Sequence, residues 1–139
     1  MVINKFSGEY RFLSNFFPCE LEIDGVCWPS VEHYYVAMKT DNPEIQEEIR
    51  NNPSPGKVKR IGRSLVLISN WDEIKLDVMN KAVRAKFNQN PDLAALLIAT
   101  ENSMLVEGNT WGDVFWGVCN GKGENWLGKI LMQTRSEIF

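Results

Sequence analysis

The stretch Cys19-Glu20-Leu21-Glu22-Ile23-Asp24-Gly25-Val26-Cys27-Trp28-Pro29-Ser30-Val31-Glu32-His33-Tyr34-Tyr35-Val36-Ala37-Met38-Lys39 carries the fold class within it. Its first five residues alternate in part, with Leu21 and Ile23 set against Glu20 and Glu22, as in a half-buried strand. Asp24-Gly25 is a tight-turn pair, and Val26-Cys27-Trp28 returns as a second strand. Pro29 and Ser30 then mark a helix entrance, with Ser30 as the N-cap. Across 31–39, Val31, Tyr34, Tyr35 and Met38 recur at i, i+3, i+4 and i+7, the spacing of a buried helical face. This hairpin and helix, with the further helices read along the chain, predict an α+β domain with several helices around a small sheet.

Outward from this stretch, the rest of 1–29 reads as short strands and loops. A short acidic helix is expected over 43–50. Ser54-Pro55-Gly56 reads as a cap followed by proline at the first helical position, and opens a helix carrying Lys57, Lys59, Arg60 and Arg63. A longer helix follows Trp71-Asp72, with Ile74, Val78, Ala82 and Ala85 along one side and Met79, Val83 and Phe87 broadening the apolar face. Asn90-Pro91-Asp92 restarts a helix to about residue 99. Short strands are expected at 103–107 and 114–118. Asn125 is expected to cap a final helix holding Trp126, Leu127, Ile130 and Leu131. No repeat or linker divides the chain, so 1–139 reads as a single domain.

At 139 residues the chain is long enough for one sizeable core. A formal charge of −3 argues against a surface that coats nucleic acid throughout, while leaving room for a local basic patch. Cys19, Cys27 and Cys119 are odd in number and lack C-x-x-C spacing, so they suit neither a disulfide framework nor a zinc site. They are expected to be reduced, mostly buried thiols, as in an intracellular protein. The start lacks a secretory apolar region, and no apolar run approaches membrane-spanning length. The expected location is cytoplasmic.

The chemistry concentrates in Glu107-Gly108-Asn109-Thr110-Trp111-Gly112-Asp113-Val114-Phe115-Trp116-Gly117. Carboxylates, an amide and two indoles among glycines suit a polar pocket wall for a flat or sugar-like ligand. Paired carboxylates suit glycosidic cleavage: one orients or deprotonates water while another supports positive charge as the bond to the sugar breaks. Glu32 and Lys39 lie seven positions apart, roughly 10 Å along a helix axis. They can flank a ligand, or they can be solvated on the helix exterior. His33 is the only histidine, which excludes a multi-histidine metal site and favours a packing or hydrogen-bonding role.

Arg11 and Asn15 sit in the aromatic run Tyr10–Phe17, where Phe12, Phe16 and Phe17 are expected in the core and Arg11 suits a ligand or an internal ion pair. The basic run around Lys57, Lys59 and Arg60 suits phosphate, or a solvated face. Trp71 suits an anchor or a pocket wall. Gly121-Lys122-Gly123-Glu124-Asn125 lacks P-loop spacing and reads as a turn.

Taken together, the sequence resembles the NADAR, or YbiA-like, family. The resemblance runs over almost the whole chain. It is carried by Tyr10–Phe16, Pro29–Thr40, Pro55–Arg63, Trp71-Asp72, Glu107–Asp113, Phe115-Trp116-Gly117 and Asn125–Lys129, in that order. It implies a compact α+β domain of YbiA-like type and N-glycosidase chemistry. The implied substrates are a phosphorylated ribosylaminopyrimidine intermediate of riboflavin synthesis or ADP-ribosylated guanine in nucleic acid.

Glu32, Trp71 and Asp113 match positions implicated in family activity, and Lys39 matches the lysine of the helical motif. Arg11, Asn15, Trp71, Asn109, Trp111 and Trp116 fit pocket-lining positions, with Lys57, Lys59 and Arg60 toward phosphate. The expected scheme uses Glu32 and Asp113 as its carboxylates. Lys39 either serves the leaving side or attacks an opened sugar to give an imine. Glu107 is expected to shape the loop. The scheme needs no metal or cofactor. The competing reading is a binding module for ADP-ribose, a nucleotide or ADP-ribosylated nucleic acid, acting without turnover.

Overall fold

The computed structural model describes residues 1–138. In chain order, β1 (Val2–Ile3) precedes a 3-10 helix over Gly8–Leu13, β2 (Leu21–Ile23) and β3 (Val26–Trp28). Then come α1 (Val31–Ala37), α2 (Pro43–Asn51), α3 (Pro55–Ser64), α4 (Trp71–Gln89) and α5 (Pro91–Ile98). The chain continues through β4 (Met104–Leu105), β5 (Gly108–Asn109) and β6 (Val118–Cys119) to α6 (Trp126–Glu137). The class is α+β. Its β component among the described residues is three two-stranded pairings, β1 with β4, β2 with β3 and β5 with β6. The backbone forms two compact units, one over Asn15–Gln89 and the other combining Met1–Ser14 with Asn90–Phe139.

In the Asn15–Gln89 unit, β2 and β3 pair antiparallel, Leu21 opposite Trp28 and Ile23 opposite Val26. Asp24 and Gly25 both take positive φ, as the primed hairpin turn requires. Ser30 caps α1 by accepting the His33 N–H. Helix α1 packs against α2, α3 and α4, so all seven of its residues are buried, not one face only. The neighbouring helices are each held by a local cap. The Asn42 side chain accepts from Glu44 and Ile45, and the Ser54 hydroxyl accepts from Lys57. Helix α4 buries Trp71, Met79, Ala82, Val83, Lys86 and Phe87. Ile74, Val78 and Ala85, expected on the buried side, are only half-buried. Lys86 takes the interior place because its stem is apolar and its ammonium lies over the Phe17 and Phe87 rings.

In the other unit β1 pairs in parallel with β4, and β5 with β6, while α6 packs against β4 and α5. The expected strand over 114–118 is confined to its far end. The carbonyls of Val114, Phe115, Trp116 and Gly117 instead accept the N–H groups of Glu124, Trp126, Leu127 and Asn125. These carbonyls satisfy donors at the start of α6, which no preceding helical turn can reach. Asn125 therefore does not cap α6 with its side chain. Its amide joins the strands instead, accepting from Glu107 N–H at 2.9 Å and donating to the Leu105 carbonyl at 3.0 Å. Residues 8–13, read as strand or loop, coil into the 3-10 helix and bury Phe12 and Leu13. Phe12 is core as expected, whereas Phe16 is exposed.

Candidate active site

Helix α1 carries the first group of candidate residues. Glu32 is only 9% exposed, which removes the solvated alternative. Its N–H donates to the Asn15 carbonyl at 3.1 Å, tying the start of the helix to the preceding aromatic run. The Asn15 side chain reaches Met79 Sδ at 3.6 Å. Lys39 is half-buried just past the end of α1. Its amine stands 5.2 Å from the Tyr35 ring centroid, and that ring meets Trp71 edge-on at 5.2 Å. Ile68 N–H donates to the Lys39 carbonyl at 3.0 Å and fixes its backbone.

Helix α3 comes close to α1 at Gly62, whose absent side chain leaves the space beside the Lys39 amine. A Cβ there would lie 3.5 Å from Nζ and 3.2 Å from both Val36 methyls. Burial pushes the Lys39 ammonium below its ordinary range. The Glu32 carboxylate opposes this, while the Lys75 and Lys59 ammonium groups add to the lowering. A lysine so placed has a larger neutral fraction near neutrality than a solvated one.

The basic helix is divided by the fold. Lys59 is half-buried, with its ammonium 5.9 Å from the Phe16 ring centroid, whereas Lys57 and Arg60 are exposed. Lys59 and Gly62 are neighbours at i, i+3, so the same side of α3 that approaches Lys39 carries Lys59. Trp71, 4% exposed at the start of α4, braces Tyr35 and presents no open ring face.

His33 serves the scaffold. Its Nε2 donates to the Asn52 carbonyl at 2.7 Å, so Nδ1 of the neutral ring accepts from the Ser30 hydroxyl at 2.7 Å. Burial lowers its pKa, and the bond to the Asn52 carbonyl works the other way.

The second group belongs to the other unit. Arg11 is exposed on the 3-10 helix, its Nη1 3.5 Å from the Gly8 carbonyl. In the 107–117 loop, Asp113 Oδ1 accepts from the N–H groups of Trp116 (2.9 Å) and Phe115 (3.2 Å). Asn109 bonds to both the N–H and the carbonyl of Asp113, and to Glu107 Oε2. Glu107 thus shapes the loop as expected. Gly117 permits the closure, because a Cβ there would stand 2.1 Å from the Glu107 carbonyl oxygen and overlap its carboxylate. Trp111 is 55% exposed. Trp116 is half-buried, in edge contact with Phe115 at 4.8 Å.

Glu32, Lys39, Asn15, Lys59 and Trp71 are thus organised in one unit, and Arg11, Asn109, Trp111, Asp113 and Trp116 in the other. Sequence reasoning missed Gly62 and Lys75. Lys75 lies one helical turn beyond Trp71, so i, i+4 spacing from a flagged residue was the available signal. A glycine within the helical run of α3, costly unless something needs the space, was the signal for Gly62. The three cysteines are unpaired, and Cys27 is exposed where a buried thiol was expected. Its place on β3 opposite exposed Glu22 explains this. Among the described residues no helix is long and apolar enough to cross a membrane.

Comparison with known proteins extends this picture. The NADAR domain profile matches residues 3–139. The N-glycosidase YbiA of Escherichia coli K12 is 44% identical over 135 residues, covering 95% of this chain and 84% of that protein. A riboflavin biosynthesis protein of Vibrio vulnificus is 41% identical over 132 residues, where the match spans 93% of this chain but 36% of the longer relative. The solution structure of E. coli YbiA superposes with a TM-score of 0.86 at 40% identity, covering 99% of this chain and 86% of that one.

Proposed function

The chain belongs to the NADAR domain family and is an N-glycosidase, and we propose that it cleaves the N-ribosidic bond of a phosphorylated ribosylaminopyrimidine of the riboflavin route. The observation that carries the reading is the α1 pair: a buried Glu32 and a half-buried Lys39 whose amine is lowered by burial. Burial of a carboxylate on a short helix and of an amine just past its end is costly unless the groups are used or paired. The relatives named for riboflavin biosynthesis favour the aminopyrimidine over guanine-linked ADP-ribose.

In the reaction we favour, neutral Lys39 Nζ bonds to the anomeric carbon of the opened sugar. The carbon–nitrogen bond to the pyrimidine breaks, and the departing nitrogen keeps the electron pair and takes up a proton. Water then adds to the lysine imine, releasing ribose phosphate and restoring the amine. Glu32 moves protons between water and the leaving nitrogen, and Asp113 supports positive charge at the anomeric carbon. Lys59 meets the phosphate, with Lys57, Arg60 and Arg11 as outer cations. Trp111 and Trp116 offer ring surface to the heterocycle. We read 1–139 as a single domain, supported by the family match over 3–139, and place it in the cytoplasm, as its unpaired cysteines favour.

A parallel turnover assay decides the substrate. A ribosylaminopyrimidine phosphate and guanine-ADP-ribosylated DNA are each incubated with the protein, and the released base and sugar are identified. Release only from the DNA overturns the small-molecule reading. Adding a hydride reductant during turnover should trap a sugar adduct on Lys39, and turnover without an adduct replaces lysine attack with water attack.

A further inference from the structure

Asn109 is half-buried at the end of β5, and both ends of its side-chain amide are hydrogen-bonded. Nδ2 donates to the Asp113 carbonyl at 2.9 Å, to Glu107 Oε2 at 3.0 Å and, more weakly, to the Glu107 carbonyl at 3.4 Å. Oδ1 accepts the Asp113 N–H at 3.0 Å. Carbonyls and a carboxylate can only accept and a peptide N–H can only donate, so one orientation of the amide satisfies all these partners. Asp113 in turn places Oδ1 on two backbone N–H groups, those of Phe115 and Trp116. That commits one carboxylate oxygen to the loop.

We propose that Asn109 is a positioning residue for Asp113: it clasps the Asp113 peptide by both its N–H and its carbonyl, holding Oδ1 on the loop and leaving Oδ2 as the reacting oxygen. The inference rests on the assignment of Asp113 as the second carboxylate of the reaction. It gives Asn109 a task other than the substrate contact expected from sequence. The groups the amide binds use its two N–H donors and one lone pair of its oxygen. Glu107 belongs to the same device, since its carboxylate sets which end of the amide faces Asp113 N–H. No other uncharged side chain of this length offers both a donor pair and an acceptor in one plane. Leucine fills the same volume without either, and aspartate supplies acceptors where the Asp113 carbonyl and Glu107 Oε2 need a donor.

The test is a double-mutant cycle on a ribosylaminopyrimidine phosphate, with N109L, D113N and the double variant, each checked by thermal melting. N109L is expected to lower kcat on the order of 100-fold with KM little changed, the effect of misplacing a reacting group. In the D113N background N109L should add no further loss, because the residue it acts through has already lost its charge. An undiminished further loss, as a direct substrate contact would give, overturns the positioning role and leaves Asp113 assigned. Full activity of D113N overturns both.

N109D supplies a second readout that does not depend on N109L folding. The titratable groups at position 109 are Glu107 and Asp113 in its own loop and Cys119, opposite it across the β5–β6 pair. At neutral pH a carboxylate at 109 faces two acceptors. As pH falls it gains a proton and again has a donor to offer. The ratio of N109D to wild-type kcat should therefore rise toward acid pH, while the N109L ratio stays level. A flat N109D ratio sinks the proposal.

Discussion

Lys39 runs beside Tyr35 and ends its amine near Gly62, where an added methyl group would touch the amine and press on the Val36 methyls. Lys39→Met should lower kcat by at least about 100-fold, the usual loss for a missing proton-transfer or nucleophilic group, in a steady-state assay of base release. Activity that needs the neutral amine should rise with pH and level off below the ordinary lysine range near 10.4. The sign follows from burial and from the nearby Lys59 and Lys75, all of which disfavour the charged form. Lys75→Gln should accordingly move the rise to higher pH, and an unmoved profile would detach Lys75 from the site.

Gly62→Ala sets overpacking against Val36, about 1–3 kcal/mol, against the roughly 1 kcal/mol that alanine gains over glycine in a helix, so chemical denaturation should show a net loss of at most about 2 kcal/mol. Glu32, Lys39 and Asp113 were legible as residue types at telling spacings. Their burial was not, since a glutamate at a given spacing reads the same whether solvent or another helix lies beside it.

Among the elements, the helices were the most legible because their ends are written locally. Ser30, Asn42 and Ser54 each satisfy N–H groups that a first turn leaves open, and each cap lies where sequence placed a helix entrance. Ser54→Ala should cost about 1 kcal/mol and lower the melting temperature by about 3 °C, and it should also loosen the helix that carries Lys59 and Gly62. An unchanged melting curve would show that packing alone holds α3. The late strands were less legible. Residues 114–117 have strand-like composition, yet their carbonyls meet the start of α6 across an intervening turn. Asn125 looked like a cap because its type and position fit one. Its left-handed backbone turns the amide toward Leu105 and Glu107 instead.

For the molecule as a whole, stability should depend on pH through Lys86, which is fully buried and whose pKa burial lowers to about 8. Below about 8 both folded and unfolded chains carry the proton, and the folded state bears the whole cost of a buried charge. Between about 8 and the ordinary 10.5 the unfolded chain binds the proton that the folded chain has lost, so stability rises with pH. The gap corresponds to about 3 kcal/mol at most. Cys19 opposes this, since burial raises its thiol pKa, so the comparison is best made in a Cys19→Ser background. There, denaturation free energies from pH 7 to about 10 should show the parent gaining on its Lys86→Met derivative, and a constant difference would refute the linkage.

The chain's own sequence determined the α+β class and the helix entrances, because periodicity, caps and turns are interactions among near neighbours, whereas N-glycosidase chemistry was legible through the resemblance to the NADAR family. Only the tertiary structure decided that Glu32 is buried, that Lys59 rather than Lys57 or Arg60 shares a helix face with Gly62, and that the Asn109 amide hydrogen-bonds to the Asp113 peptide. Those outcomes depend on which surfaces and which remote backbone groups meet, and the desolvation and hydrogen bonds that follow are set by those meetings.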